Sequence, residues 1–253
     1  MQSTRPLTIL TGASRGLGAA MAQQLLQRGA ALLTMSRRPD QALGAEAAEA
    51  GASLEQWAID LADGVAASAR LEAWLKSQQN SFSSATLINN AALAGTAGPI
   101  SESDAPTLAA VLRVGLEAPM LLTRAFLVAT REWSIPRKVL NISSGAGKKP
   151  LAGTAAYCAV KAGLDHFSRV VALDEAHLRN GAMIVSLAPG VIDTDMQTAL
   201  RESDPRLFPD QAQFAAMKAH GQLASANDAA AKVLAFLDRP DFGTDAVADV
   251  RGA

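Results

Sequence analysis

Apolar residues fall in short continuous runs separated by longer Ala- and Leu-rich stretches, and that alternation is the strongest signal in the chain. The runs are Leu7 to Leu10, Ala31 to Met35, Leu54 to Ile59, Thr86 to Ile88, Lys138 to Ile142, Met183 to Leu187 and, more weakly, Ala246 to Val250. Most are apolar on consecutive positions, which suits strands covered by helices on both faces. The rhythm predicts an α/β fold: a single doubly wound domain over 1–253, with a seven-stranded, mostly parallel sheet and helices on both faces.

The first helix is expected to open after Gly16 and Gly18 and to close at Gly29, where a glycine commonly takes a left-handed cap. A longer apolar helix is expected over Leu108 to Thr130, bent near Pro119 because proline removes a backbone donor. In a third, Thr154 to Leu178, Val160, Leu164, Phe167 and Val171 recur at i, i+4, i+7 and i+11 and mark a buried face, leaving the opposite face free for chemistry. Residues 191–224 break the rhythm with two prolines, scattered charges and weak periodicity, and read as an inserted, mobile substrate lid. Repeats, low-complexity tracts and interdomain linkers are not evident.

Composition narrows the classes. The chain is 49% apolar and 19% charged, with 23 basic against 24 acidic residues, so nucleic acid is not an expected partner. Cys158 is the single cysteine and cannot close an intrachain disulfide, which points to a cytoplasmic protein. MQSTRPLTIL lacks a basic segment followed by an apolar one, and no apolar run approaches the roughly 18 residues of a membrane span, so neither export nor membrane insertion is expected.

Thr11-Gly12-Ala13-Ser14-Arg15-Gly16-Leu17-Gly18 directly follows the first strand and opens the first helix, where unpaired backbone N–H groups attract phosphate. Its spacing is G-x3-G-x-G, and such turns also occur for purely structural reasons. About 20 residues on, where an acid would bind an NAD ribose, the second strand ends in Ser36-Arg37-Arg38. Arginine there suits a 2′-phosphate, as Arg15 could, which favours NADP(H); both strand-end arginines also read as solvated residues.

Tyr157, the single tyrosine, precedes Lys161 by four residues, so on one helix both project from one face. An ammonium nearby would lower the phenol pKa towards neutrality, and Ser144 could add a hydroxyl to polarise a carbonyl. The spacing alone is common on helix surfaces. His166, His177 and His220 are scattered, and no metal site is assigned. Cys158 lacks an activating base and reads as a packing residue.

As a set, Thr11-Gly12-x-x-x-Gly16-x-Gly18, Asp60, Asn89-Asn90-Ala91, Ser144, Tyr157-x-x-x-Lys161 and Pro189-Gly190 resemble the short-chain dehydrogenase/reductase family from Leu7 to Val250, most like its sepiapterin reductase and benzil reductase branch. The resemblance implies a Rossmann-type fold, an NADP(H) cofactor, a small carbonyl substrate and a homodimer or homotetramer. Tyr157 would protonate the carbonyl oxygen, Ser144 would hold it, and Lys161 would contact the nicotinamide ribose. Gly12, Ser14, Arg15, Gly16, Leu17 and Gly18, with Ser36 and Arg37, would hold the pyrophosphate and adenosine end. Asp60 and Leu61 would flank adenine, Asn89 and Ala91 the ribose, and Pro189, Gly190, Ile192 and Thr194 the carboxamide. Leu93, Leu151 and Met196 would line the substrate pocket, with Ile192 as a further wall.

Two departures stand out. The family usually carries an asparagine supporting a proton relay where this chain reads Val114-Gly115-Leu116, and Ala92 stands where a glycine is commoner. Gly115 keeps open a second class, an NADPH-binding regulatory or degenerate scaffold with little catalysis, beside a third, a purely structural oligomer. Asp249 lies where pterin-reducing relatives place a substrate-anchoring acid, but a structural role is favoured.

Overall fold

The structure, a computed structural model, describes residues 5–78 and 82–252. Residues 1–4, part of the stretch weighed as a leader, lie outside the described residues. Seven strands, β1 (Arg5–Thr11), β2 (Ala31–Ser36), β3 (Ser53–Ala58), β4 (Phe82–Asn89), β5 (Arg137–Ile142), β6 (Met183–Ala188) and β7 (Val247–Asp249), form one sheet in the order β3-β2-β1-β4-β5-β6-β7. Every pairing is parallel. The winding reverses between β1 and β4, so their carboxyl ends open a crevice at the switch point, where such sheets bind ligands.

Consecutive apolarity has the expected cause. Leu10, Ile88, Leu140 and Val185 face one core with helices α1 (Gly16–Gln27), α2 (Gln41–Glu49) and α9 (Ala226–Leu237). Ile9, Leu87, Val139 and Ile184 face another with α3 (Gly64–Ser77) and α5 (Ala118–Ala129). β4 begins earlier than its apolar core suggests, because Ser83 and Ser84 interrupt the run at the sheet's edge of burial.

The long fourth helix is also built differently. α4 (Ala105–Leu112) starts three residues before the expected Leu108, with Asp104 accepting a hydrogen bond from the Thr107 N–H. It passes through a wide π turn, Arg113–Glu117, in which the Ala118 N–H reaches back to the Arg113 carbonyl, before α5 resumes at Ala118-Pro119. The irregularity therefore precedes the proline, and Gly115 lies inside it. A β-carbon on Gly115 would stand 2.6 Å from Val160 Cγ1 of α6 (Ala155–Ala176), so the missing side chain is what lets the turn press against α6.

The segment 191–224 folds into α7 (Asp195–Arg201) and α8 (Gln211–Ala219), clipped at its base by a parallel bridge between Ile192 and Ala224. Phe208 between them is fully buried and packs edge-to-face on Phe214 at 5.2 Å.

At the opposite end of the sheet Arg137 is buried, its guanidinium donating to the Asn180 carbonyl and lying 3.8 Å from Glu175. Glu175 also accepts the Ala182 N–H at 2.8 Å. Removing one partner of a buried pair leaves the other uncompensated, so Glu175→Ala is expected to cost about 3–5 kcal/mol in urea unfolding. A cost below about 1 kcal/mol would refute this role.

Candidate active site

The glycine turn is shaped by contacts that a side chain would block. Gly12 takes φ +70°, and its N–H donates to the Met35 carbonyl at 2.8 Å, tying the turn to β2. A β-carbon on Gly18 would lie 2.0 Å from the Gly12 carbonyl oxygen. Asn90 clamps the turn from β4, donating to the Thr11 and Gly12 carbonyls at 3.0 and 3.1 Å. Thr11 Oγ1 in turn accepts the N–H groups of Asn90 and Ala91. The first turn of α1 has no side-chain cap, so its N–H groups remain available to an anion. A bare cradle and an uncapped helix end fit a dinucleotide pyrophosphate.

The three expected catalytic side chains come together on α6 and the loop after β5. Ser144 lies beside the Tyr157 hydroxyl, and the Lys161 ammonium lies 5.6 Å from the Tyr157 ring centre. Lys161 is buried and donates to the Ile142 carbonyl at 2.7 Å. Burial lowers its pKa to about 8, opposed by the Asp165 carboxylate. The expected lowering of the phenol by Lys161 is not what this geometry gives. Tyr157 is raised above its ordinary value, chiefly by burial, with Ser144 acting in the lowering direction. The ammonium stands beside the ring and donates to the Ile142 carbonyl, and burial is the largest influence on the phenol. Nor is the face of α6 opposite Val160 and Leu164 simply free, since Lys161 and Asp165 are buried with it.

Other expected residues sort by what their side chains already do. Ser14, Gly16, Arg37 and Thr194 stay partly or fully exposed, with Thr194 beginning α7 against Gly16. Leu17 packs into the core under the turn. Arg15 pairs with Asp195 of α7 at 2.8 Å, bridging the turn to the segment 191–224. The Ser36 hydroxyl accepts the Ala13 N–H at 3.0 Å, which makes it a support of the turn. Asp60 is exposed and accepts the Ala62 N–H, while Leu61 is buried in the core, leaving its backbone for the crevice. Asn89 is engaged inside the protein, its buried amide donating to Asn141 Oδ1 at 2.8 Å and to Thr123 Oγ1 at 3.3 Å. Ala91 packs at Gly12, Pro189 is buried, Gly190 takes φ +84°, and Ile192 is buried in the core.

Leu93, Leu151 and Met196 sit partly buried at the carboxyl edge of the sheet, on three different segments. None of the three lines the small cavity of about 10 Å³ formed by Ala94, Gly95, Thr96, Ile100, Val111 and Thr154, residues that sequence reasoning passed over. Ala94 and Gly95, one and two places past Leu93, carried only a faint signal, and the others carried none. Asp249 is held in a fork by Arg251, with Nε and Nη2 at 2.8 and 2.5 Å, which accounts for both carboxylate oxygens. His166, His177 and His220 are exposed, and among the described residues no group of His, Cys, Asp and Glu could hold a metal. No described helix is long and apolar enough to cross a membrane.

Comparison with known proteins places these features in context. Residues 7–205 match the family model for short chain dehydrogenase. The chain is 35% identical to benzil reductase ((S)-benzoin forming) of Bacillus cereus, covering 92% of this chain and 94% of that protein. It is 31% identical to sepiapterin reductase of Meriones unguiculatus, covering 95% and 94%. Among solved structures, 3-oxoacyl-[acyl-carrier protein] reductase from Brucella melitensis, in complex with NAD, superposes with a TM-score of 0.80 at 25% identity, over 98% of this chain and 96% of that one.

Proposed function

The chain belongs to the short-chain dehydrogenase/reductase family of oxidoreductases, and from that premise we propose that it is an NADPH-dependent reductase of small ketones, diketones or pterin side-chain carbonyls. The observation that carries the reading is the joined trio: Ser144 beside the Tyr157 hydroxyl, with Lys161 beside the same ring. A nicotinamide cofactor whose pyrophosphate the glycine turn would hold would supply the hydride. Tyr157 hands its hydroxyl proton to the carbonyl oxygen, and Ser144 donates a hydrogen bond to that oxygen as charge develops on it. Lys161 would hold the ribose, and its charge beside the ring would offset the phenolate left on Tyr157. Leu93, Leu151 and Met196, with Ile192 behind, give the carbonyl an apolar seat, and the segment 191–224 covers it.

NADPH is favoured over NADH by the end of β2. Arg37 and Arg38 are exposed there, and the next acid, Asp40, is committed to capping α2, accepting the Ala42 N–H at 3.0 Å. Arg37→Ala is expected to weaken NADPH about ten- to a hundredfold, the scale of one or two charge-assisted hydrogen bonds, while sparing NADH. Equal loss for both dinucleotides in a fluorescence titration would count against the 2′-phosphate contact. The exposed Leu112, Met120 and Val128, and Val170 and Leu173 on α6, offer an apolar face for a homodimer or homotetramer.

The direct test follows absorbance at 340 nm with NADPH or NADH against dicarbonyls, pterins, simple ketones and acyl thioesters. Consumption with a dicarbonyl or pterin supports the reading. Tight NADPH binding without consumption across the panel favours the scaffold reading, which draws on Gly115, where the contact with Val160 leaves no room for an asparagine without rearrangement.

A further inference from the structure

Beneath the trio lies a buried acid that the reduction as described leaves unused. Asp165 follows Lys161 by one turn of α6, on the same side of the helix, and both are only 3% exposed. Asp165 Oδ1 accepts two hydroxyls, Ser143 at 2.5 Å and Ser186 of β6 at 2.7 Å. Two O–H donors converging on one oxygen is an arrangement that suits an ionised carboxylate. Ser143 is bonded in sequence to Ile142, whose carbonyl takes the Lys161 ammonium, so the end of β5 supplies a partner to each charge. Gly147 makes room for the group: a β-carbon there would stand 2.8 Å from Asp165 Oδ2.

We propose that Asp165 is a positioning residue for the reduction, its fixed carboxylate serving as the buried counter-charge that keeps Lys161 protonated and in place beneath the reacting groups. The inference rests on the role given to Lys161 above. Desolvation pulls the Lys161 pKa down to about 8, and Asp165 acts in the opposite direction. Other charges on the surrounding elements do not compete for this task. Arg113 and Glu117 of the π turn and Lys148 and Lys149 after β5 are exposed, and Asp249 of β7 is engaged by Arg251. α4 and β6 carry no charged residue, Arg137 and Lys138 stand at the far end of β5, and Tyr157 and Cys158 lie one turn earlier on α6.

The sign follows directly. Lys161 works as an ammonium, so turnover is expected to fall as pH rises through about 8. Asp165→Asn keeps an oxygen for Ser143 and Ser186 but removes the charge, so this alkaline limb should move down by about one pH unit or more, with turnover approaching wild type towards pH 6. In the cofactor-free protein, the Lys161 Cε resonance should show the same downward shift of its inflection by NMR. An unchanged limb with a uniform loss of turnover, or an unmoved Lys161 inflection, would make Asp165 purely structural and overturn the proposal. If the variant does not fold, the wild-type protein still decides. The Asp165 Cγ resonance should register the Lys161 titration, and a signal blind to it overturns the pairing. The two readings separate cleanly. If Tyr157→Phe leaves turnover intact the reductase chemistry fails, whereas the NMR inflections judge Asp165 without any turnover.

Discussion

Tyr157→Phe is expected to reduce carbonyl-dependent NADPH oxidation by about 10²- to 10⁴-fold, the scale of one positioned proton donor. The ring remains to fill its place between Ser144 and Lys161, so the loss should appear in kcat while the NADPH dissociation constant stays within about threefold. The substitution deletes the hydroxyl that Ser144 engages and leaves the rest of α6 untouched. Ser144→Ala should lose less, because the hydroxyl it removes stabilises an oxygen without supplying the proton. Full turnover in Tyr157→Phe, measured at 340 nm with an accepted dicarbonyl, would remove Tyr157 from the chemistry.

Gly18→Ala is expected to abolish practical cofactor binding. The added carbon would lie 2.0 Å from the Gly12 carbonyl oxygen and 2.6 Å from Asn90 Nδ2, so α1 must pull away from the turn. The N–H groups at its start then leave the pyrophosphate. Losing two such contacts, at about 1.5–3 kcal/mol each, weakens NADPH more than about a hundredfold. Gly44→Ala is the matched control, since its added carbon meets nothing and a helical glycine favours alanine by about 0.5–1 kcal/mol. A Gly18→Ala protein that binds NADPH as tightly as Gly44→Ala would show that the turn is not the phosphate cradle.

What was legible in the sequence divides along a physical line. Strands buried on both faces declare themselves by continuous apolarity, so the sheet and its parallel pairing could be read from residues such as Leu7 to Leu10 and Met183 to Leu187. Glycine, tyrosine and lysine at fixed intervals marked the crevice because those spacings survive folding unchanged. Direction and competition were not legible. That Asn89 pairs with Asn141 depends on the register between β4 and β5. Arg15 could be read as a phosphate partner, but its exposed ion pair with Asp195, 180 positions away, could not be read. The field at Tyr157 escaped for a similar reason. Spacing places Lys161 nearby, but burial of the phenol, which no spacing reveals, is the largest influence on it. Asp165 was hidden because a lone acid within a helix looks like any solvated residue until two strands bring Ser143 and Ser186 to it.

The bridge between Ile192 and Ala224 closes a loop of more than thirty residues at its neck, with the Asp193 N–H donating to the Ala224 carbonyl and the Ala224 N–H to the Val191 carbonyl, each at 3.0 Å. Whatever lies beyond the neck can change length or composition with little demand on the sheet, since loop-closure entropy grows only slowly with length. The excursion is in effect a cassette. Exchanging only the part beyond Met196 is expected to alter which molecules reach Tyr157 while Thr194 and Asp195 keep their contacts with the glycine turn.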